Sequence, residues 1–240
     1  MFIRSTIYYF AMCLSVFIVG FFLLIFGYFL KQTTIDSILH CWSKTNRWLL
    51  KFICGLDIEV RGGEKLCSLD YDIVISNHQS VFETIVFRAL LPKSQTWVLK
   101  KELLKIPFYN IMVKFGYTIP VDRSNGKEAL KDVMAVGSKA LSENRVVFVF
   151  PEGTRSLPGE HLKYNAGAAL LAVKNNANVL PMAHNAGVYW PKKGYVINPG
   201  QLTVSIGDVV SSQDKKSREL MSELECWVQS ESDSLMGASS

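Results

Sequence analysis

Between Ile7 and Leu30 the chain reads IYYFAMCLSVFIVGFFLLIFGYFL, without one charged side chain. As a helix this segment is about 36 Å long, enough to cross a hydrocarbon core of about 30 Å. It accounts for a mean hydropathy of +0.17, high for a soluble protein. A cleaved secretory signal would have a shorter apolar region followed by a small-residue cleavage site. Here KQTTIDS follows, and the segment reads as a retained membrane anchor that either spans or bends back. Arg4 stands alone before it, and Lys31, Lys44, Arg47 and Lys51 come after it. That bias predicts a body on the cytoplasmic face of the cell membrane.

Beyond the anchor, Ile35, Ile38, Leu39, Trp42, Leu49, Phe52, Ile53 and Leu56 recur at helical spacing on one stripe, and Lys44, Arg47 and Lys51 share another face. Two readings fit this pattern: a basic amphipathic helix in a membrane interface, or a helix packed on its own domain with a solvated basic face. The adjacent anchor favours the first. A length of 240 residues allows one sizeable domain and an appendage. The predicted organisation is a membrane anchor with its amphipathic helix over residues 1–56, a globular domain over 57–229 and a frayed polar tail over 230–240.

The globular part alternates. Leu56–Arg61, Asp72–Ser76, Thr96–Lys100, Tyr117–Asp122, the run RVVFVF (145–150) and Val179–Ala183 read as strands. Gln79–Leu91, Glu102–Phe115 with a kink near Pro107, Lys127–Leu141 and Ala166–Lys174 read as helices. YVINPGQLTVSIG suggests two further strands about a Pro-Gly turn. This order predicts an α/β fold: a mostly parallel sheet flanked by helices, with an N-terminal membrane-embedded helical segment. RVVFVF, apolar throughout after Arg145, suits a strand covered on both faces. The formal net charge of +5 suits an anionic lipid surface or substrate. No basic run interleaved with aromatics points to nucleic acid. Cys13, Cys41, Cys54, Cys67 and Cys226 are odd in number and without Cys-x-x-Cys spacing, which reads as reduced thiols.

Two motifs carry chemistry. ISNHQSVFETI (75–85) places His78 and Glu83 five positions apart where a strand gives way to a helix. In one continuous helix they would be about 140° apart and could not meet. They meet if His78 lies in the turn and Glu83 in the first helical turn. A carboxylate on one imidazole nitrogen then fixes the tautomer and leaves the other nitrogen as a base toward a hydroxyl. The same residues also fit a plain capping box, Ser80-x-x-Glu83, in which Glu83 only satisfies a backbone N–H. The second motif, FPEGTRS (150–156), follows the strongest strand. Gly153 lets backbone approach a ligand, Thr154 offers a hydroxyl, and Arg155 offers the planar fork best matched to phosphate. Glu152 is odd beside an anion; it would orient Arg155 or accept from a substrate hydroxyl. GYTIPVDRSNGK (116–127) adds Arg123 at another strand end.

In this order, NHQSVFE, GYTIPVDR, FPEGTRS and VLPMAH resemble the blocks of the glycerolipid acyltransferase family, and within it the lysophosphatidic acid acyltransferases, over roughly residues 70–185. Two positions depart from the pattern: Glu83 stands where most members have Asp, and Asn165 where relatives often carry Lys. The resemblance implies transfer of a fatty acyl group from an acyl thioester, on coenzyme A or acyl carrier protein, to the sn-2 hydroxyl of 1-acylglycerol-3-phosphate (lysophosphatidic acid). The product is phosphatidic acid for phospholipid biosynthesis. His78 would deprotonate the hydroxyl and Glu83 orient His78, while Arg123, Glu152, Gly153, Thr154 and Arg155 would hold the glycerol phosphate. No metal or cofactor is implied beyond the thioester co-substrate. The partners implied are the lipid bilayer, the lyso-lipid and the acyl carrier. Rival readings are another lyso-lipid acceptor, or a catalytically silent lipid-binding protein. His184, closing VLPMAH, reads as a satisfied interior or loop histidine rather than a second base, His161 and His40 show no partner, and Lys100 and Lys101 show no more than a possible phosphate contact.

Overall fold

The computed structural model describes residues 1–122 and 125–237. Among these, seven strands form one sheet. In chain order they are Leu56–Arg61 (β1), Ile73–Ser76 (β2), Gln95–Lys100 (β3), Thr118–Val121 (β4), Val146–Val149 (β5), Val179–His184 (β6) and Gly200–Ile206 (β7). Their order across the sheet is β1-β7-β6-β2-β5-β3-β4, and every pairing is parallel except β6 with β7. The mostly parallel α/β expectation therefore holds.

Strand periodicity builds two cores. Successive side chains of a strand point to opposite faces. Val74, Phe148, Leu180 and Met182 face one core, and Ile73, Ile75, Val147 and Val149 face the other. The first core lies under helices Phe2–Phe26 (α1), Gln32–Leu49 (α2), Phe82–Val86 (α3) and Tyr109–Phe115 (α4). The second lies under Gly126–Ser142 (α5), Gly167–Asn175 (α6) and Ser217–Gly237 (α8). A short helix, Ala186–Tyr189 (α7), follows β6.

α1 has the length and mean hydropathy (2.6) of a membrane span, yet it is docked along the body. Ser5 Oγ accepts from Ile197 N–H at 2.9 Å, and Tyr9 Oη from Trp190 Nε1 at 2.8 Å. Ser15 Oγ accepts from Trp42 Nε1 at 3.0 Å. A Cβ on Gly20 would lie 2.5 Å from the Phe108 carbonyl oxygen, so glycine is what permits this approach. α2 is also packed on the domain. Ile35, Leu39 and Trp42 are buried. Asp36 accepts from Arg145 at 2.7 Å, and Ser43 Oγ donates to the Ile85 carbonyl at 2.6 Å. Arg47 is tied to the Ile58 carbonyl and Lys51 to Asp57. Phe52, expected on the inward stripe, is exposed and stacks on exposed Trp48.

Several elements differ from the sequence expectation. The helix over 79–91 contracts to α3 and a 3₁₀ turn, because Glu83 takes the N–H groups of Gln79 and Ser80 and holds them in the loop. The helix over 102–115 breaks where Phe108 adopts a positive φ of 62°. YVINP forms no strand: Ile197 N–H goes to Ser5 and Asn198 N–H to the Tyr189 carbonyl, leaving neither for a ladder. The expected frayed tail is helical through Gly237. Ser232 and Leu235 are buried, and Ser232 Oγ accepts from Asn77.

Candidate active site

In parallel sheets, ligands gather at the carboxyl ends of strands. Here β2 lies between β6 and β5, with Ile75 opposite both Pro181 and Val149. Three segments therefore leave the sheet side by side: Asn77–Ser80 after β2, Phe150–Ser156 after β5, and His184 at the end of β6.

His78 and Glu83 come together as the strand–turn–helix spacing requires. Nδ1 of His78 is 3.4 Å from Oε2 of Glu83, and neither atom has another polar partner among the described residues. Oε1 of Glu83 accepts the N–H groups of Gln79 at 2.9 Å and Ser80 at 2.8 Å. The capping box and the histidine pair are thus both present, one on each carboxylate oxygen. Glu83 is fully buried. Burial alone would raise its pKa, but the hydrogen bond to His78, the two neighbouring imidazoles and the Gln79 N–H together hold it below the usual carboxylate value. The His78 ring stacks on Phe150 with centroids 4.1 Å apart, which fixes its plane.

Glu152 does not meet Arg155. Its Oε1 accepts from His78 N–H at 3.2 Å, and the His78 carbonyl accepts from Ser156 N–H at 2.7 Å. Burial pushes the Glu152 pKa up to about 8, so at neutral pH it is a neutral acid bracing the histidine loop. That removes the oddity of a carboxylate beside an anion site. Gly153 has φ +71°, the left-handed region that favours glycine, and a Cβ there would also press on Asn165. Asn165, at the position expected to carry lysine, clamps the turn through Nδ2 to the Pro151 carbonyl at 2.9 Å.

His78, Gly153, Thr154 and Arg155 line one cavity of about 790 Å³. Its far walls are apolar, including Val16 and Phe17 of α1 and Leu103 and Ile106. Lys100 and Lys192 line it together with Arg155, and Lys192 Nζ donates to the Arg155 carbonyl. Arg123 lies outside the described residues. Glu152 faces a second cavity of about 380 Å³ on the other side of the turn.

Sequence reasoning passed over Lys192 and read His184 as an interior histidine, which its burial bears out, without seeing its contact with Glu83. His184 is fully buried, with Nε2 3.3 Å from Glu83 Oε1. The available signal was a histidine closing VLPMAH, one of the same four blocks.

A histidine held on a buried carboxylate, in a largely apolar cavity that Lys100, Arg155 and Lys192 also line, has the geometry of the class of enzyme that activates a hydroxyl of an amphiphile. Residues 57–185, more than half the chain, match a family described as Acyltransferase. The protein belongs to that family. It is 38% identical over 191 residues to the 1-acyl-sn-glycerol-3-phosphate acyltransferase of Pseudomonas aeruginosa, covering 78% of this chain and 73% of that protein. It is 33% identical over 171 residues to the Saccharomyces cerevisiae protein of the same name, covering 69% of this chain and 55% of the yeast protein. The crystal structure of the 1-acyl-sn-glycerophosphate (LPA) acyltransferase PlsC from Thermotoga maritima has the same fold. Its TM-score is 0.81 at 23% identity, over 98% of this chain and 95% of that one.

Proposed function

We propose that the protein acylates the sn-2 hydroxyl of 1-acylglycerol-3-phosphate from an acyl thioester of coenzyme A or acyl carrier protein, releasing phosphatidic acid. The observation that carries this reading is the position of His78: its ring lines a largely apolar cavity of about 790 Å³ that Lys100, Arg155 and Lys192 also line. An acceptor with a phosphate at one end and a fatty chain at the other matches both ends. Nε2 of His78 takes the hydroxyl proton as the oxygen attacks the thioester carbonyl. The C–S bond then breaks, and the proton passes from His78 to the departing thiolate. Ionised Glu83 orients the ring and stabilises the imidazolium between these steps. Arg155, with Thr154, holds the phosphate, and Lys100 and Lys192 add positive charge.

The protein reaches its substrates from the membrane. Both ends of α1 touch the body, Ser5 through Ile197 and Gly27 against Phe115. Its outer face, with Phe10, Ile18, Phe22 and Ile25, is exposed. A helix docked along its whole length suits insertion into one leaflet of the cell membrane from the cytoplasmic face, with its outer face in lipid and its inner face walling the cavity.

The test is an assay of the purified full chain in phospholipid vesicles with a labelled acyl donor. The acceptors are lysophosphatidic acid, lysophosphatidylcholine and monoacylglycerol. Labelled phosphatidic acid should dominate, and His78→Ala should lose about 10²–10⁴-fold in turnover while staying folded and membrane-bound. Preference for the capped phosphate, or near-normal turnover in His78→Ala, would refute the assignment.

A further inference from the structure

We infer that His184 is a positioning residue for the acyl transfer, acting through Glu83, whose carboxylate is shared between two imidazoles. This rests on the reading that His78 is the base. His184 reaches the site from β6, a strand away from the loop that carries His78. Its ring is fully buried and does not line the cavity, so it touches no substrate.

The tautomer follows from its partners. Nδ1 accepts the N–H of Ala186 at 3.1 Å, so the ring proton must sit on Nε2. That N–H points to the Asn77 carbonyl at 2.8 Å, with Glu83 Oε1 at 3.3 Å. Asn77 closes the clamp: its side chain donates to the His184 carbonyl at 2.9 Å and accepts from His184 N–H at 3.1 Å. Two backbone N–H groups therefore donate to Oε1, from Gln79 and Ser80, and the His184 ring, its proton given to the Asn77 carbonyl, packs 3.3 Å from the same oxygen, while Oε2 is left to His78 alone. An aspartate would draw the carboxylate back by about one C–C bond, roughly 1.5 Å, and could not keep both imidazoles. The longer side chain and the second histidine fit each other.

The charge state suits the task. Burial lowers the His184 pKa, with Glu83 opposing. A neutral imidazole packed against Oε1 fixes where the carboxylate sits without neutralising it, so Glu83 keeps its full charge for the imidazolium of His78. The titratable groups facing this carboxylate are His78 from the loop after β2, His184 from β6 and Glu152 from the loop after β5. α8 contributes Ser232, a hydroxyl, through Asn77.

A double-mutant cycle separates this role from simple support of the Asn77 loop. His184→Leu should lower kcat about tenfold with the acceptor KM within about twofold. His184→Gln can place an amide N–H near the lost Nε2 and should recover most of the rate. His184→Asn reaches only the Nδ1 position and should not. In a Glu83→Asp background, His184→Leu should cost less than about twofold. Equal losses in both backgrounds, equal behaviour of Gln and Asn, or losses that track the melting temperature alone would overturn the inference. If the leucine variant does not fold, the Gln and Asn comparison decides. Normal turnover in His78→Ala would instead refute the underlying mechanism, whereas an essential His78 with an idle His184 refutes only this step.

Discussion

Glu83 meets two demands with two oxygens, and one substitution separates them. In Glu83→Gln the amide oxygen can still accept from Gln79 and Ser80, so stability should fall by about 1 kcal/mol or less. The amide N–H₂ then faces Nδ1 of His78 and forces the ring proton onto Nε2, the wrong tautomer for a base. Turnover should drop by about 10³-fold or more, measured beside thermal denaturation; retained activity would leave Glu83 as a cap only. Glu152 gives a pH signature. Its folded pKa of about 8 lies above the ordinary value of 4.5, so the folded state binds the extra proton. The stability it confers is complete below about pH 4.5, is lost as pH rises from there to about 8, and changes no further above that. Glu152→Gln should therefore gain stability over the parent as pH rises, by up to about 5 kcal/mol above pH 8, and the two should denature alike near pH 5. A gap unchanged with pH would contradict the buried neutral acid. Arg155→Lys keeps charge but loses the planar fork, so the acceptor KM should rise more than the donor KM. An equal loss for phosphorylated and unphosphorylated acceptors would remove Arg155 from the phosphate site. At this scale the His78–Glu83 pairing was legible, because both residues sit in one short strand–turn–helix. His184 was not: a hundred residues separate it from Glu83, and only the order of strands β6 and β2 brings them together.

Among elements, α1 carries more than attachment. It supplies Met12, Val16 and Phe17 to the cavity wall and holds the loop after α7 through Trp190 and Ile197. Gly20→Leu would push a side chain into the Phe108 backbone. It should reduce turnover several-fold even in detergent micelles, where no bilayer is required, while the protein still partitions to vesicles. Unchanged micellar turnover would make α1 an anchor alone. Elements read well wherever the side-chain pattern and the backbone hydrogen bonds agree. β1 and β5 are bounded almost as the apolar pattern indicates. Ile197 misled because its burial comes from the N-terminal helix, with its N–H given to Ser5 rather than to a sheet. α8 was missed altogether, and its end was read as frayed from Ser230 because that stretch is small and polar. Its order depends on Ser232 and Leu235 meeting the back of the site, which composition does not reveal.

For the whole molecule, the outer face of α1 and the exposed Trp48–Phe52 pair form the apolar side. Arg47 and Lys51 are partly engaged by β1, which leaves less free charge for lipid than the sequence suggested. Raising salt should therefore leave most of the protein in the membrane fraction. Neutralising Lys44, Arg47 and Lys51 should weaken binding to anionic vesicles by less than the roughly 1 kcal/mol per residue of free basic groups. Replacing Phe10, Ile18 and Phe22 by serine should release it. Release by salt alone would assign attachment to charge. The two readings of the second helix were not separable in the sequence, since packing and interface binding both ask for one apolar stripe. The structure buries Ile35, Leu39 and Trp42 on the body and turns Trp48 and Phe52 outward.

The pairing of Leu56 with Gly200, and of Ser5 with Ile197, also orders events during synthesis. α1 leaves the ribosome long before the segment that will seat it exists. At about 5–20 residues per second the interval is on the order of ten seconds. Throughout it, the apolar helix has only lipid for cover. Membrane contact should come first, and closure of the sheet edge and seating of α1 last. Nascent chains stalled before residue 190 should already sediment with membranes; if they stay in the ribosome supernatant, the helix waits for its own domain instead.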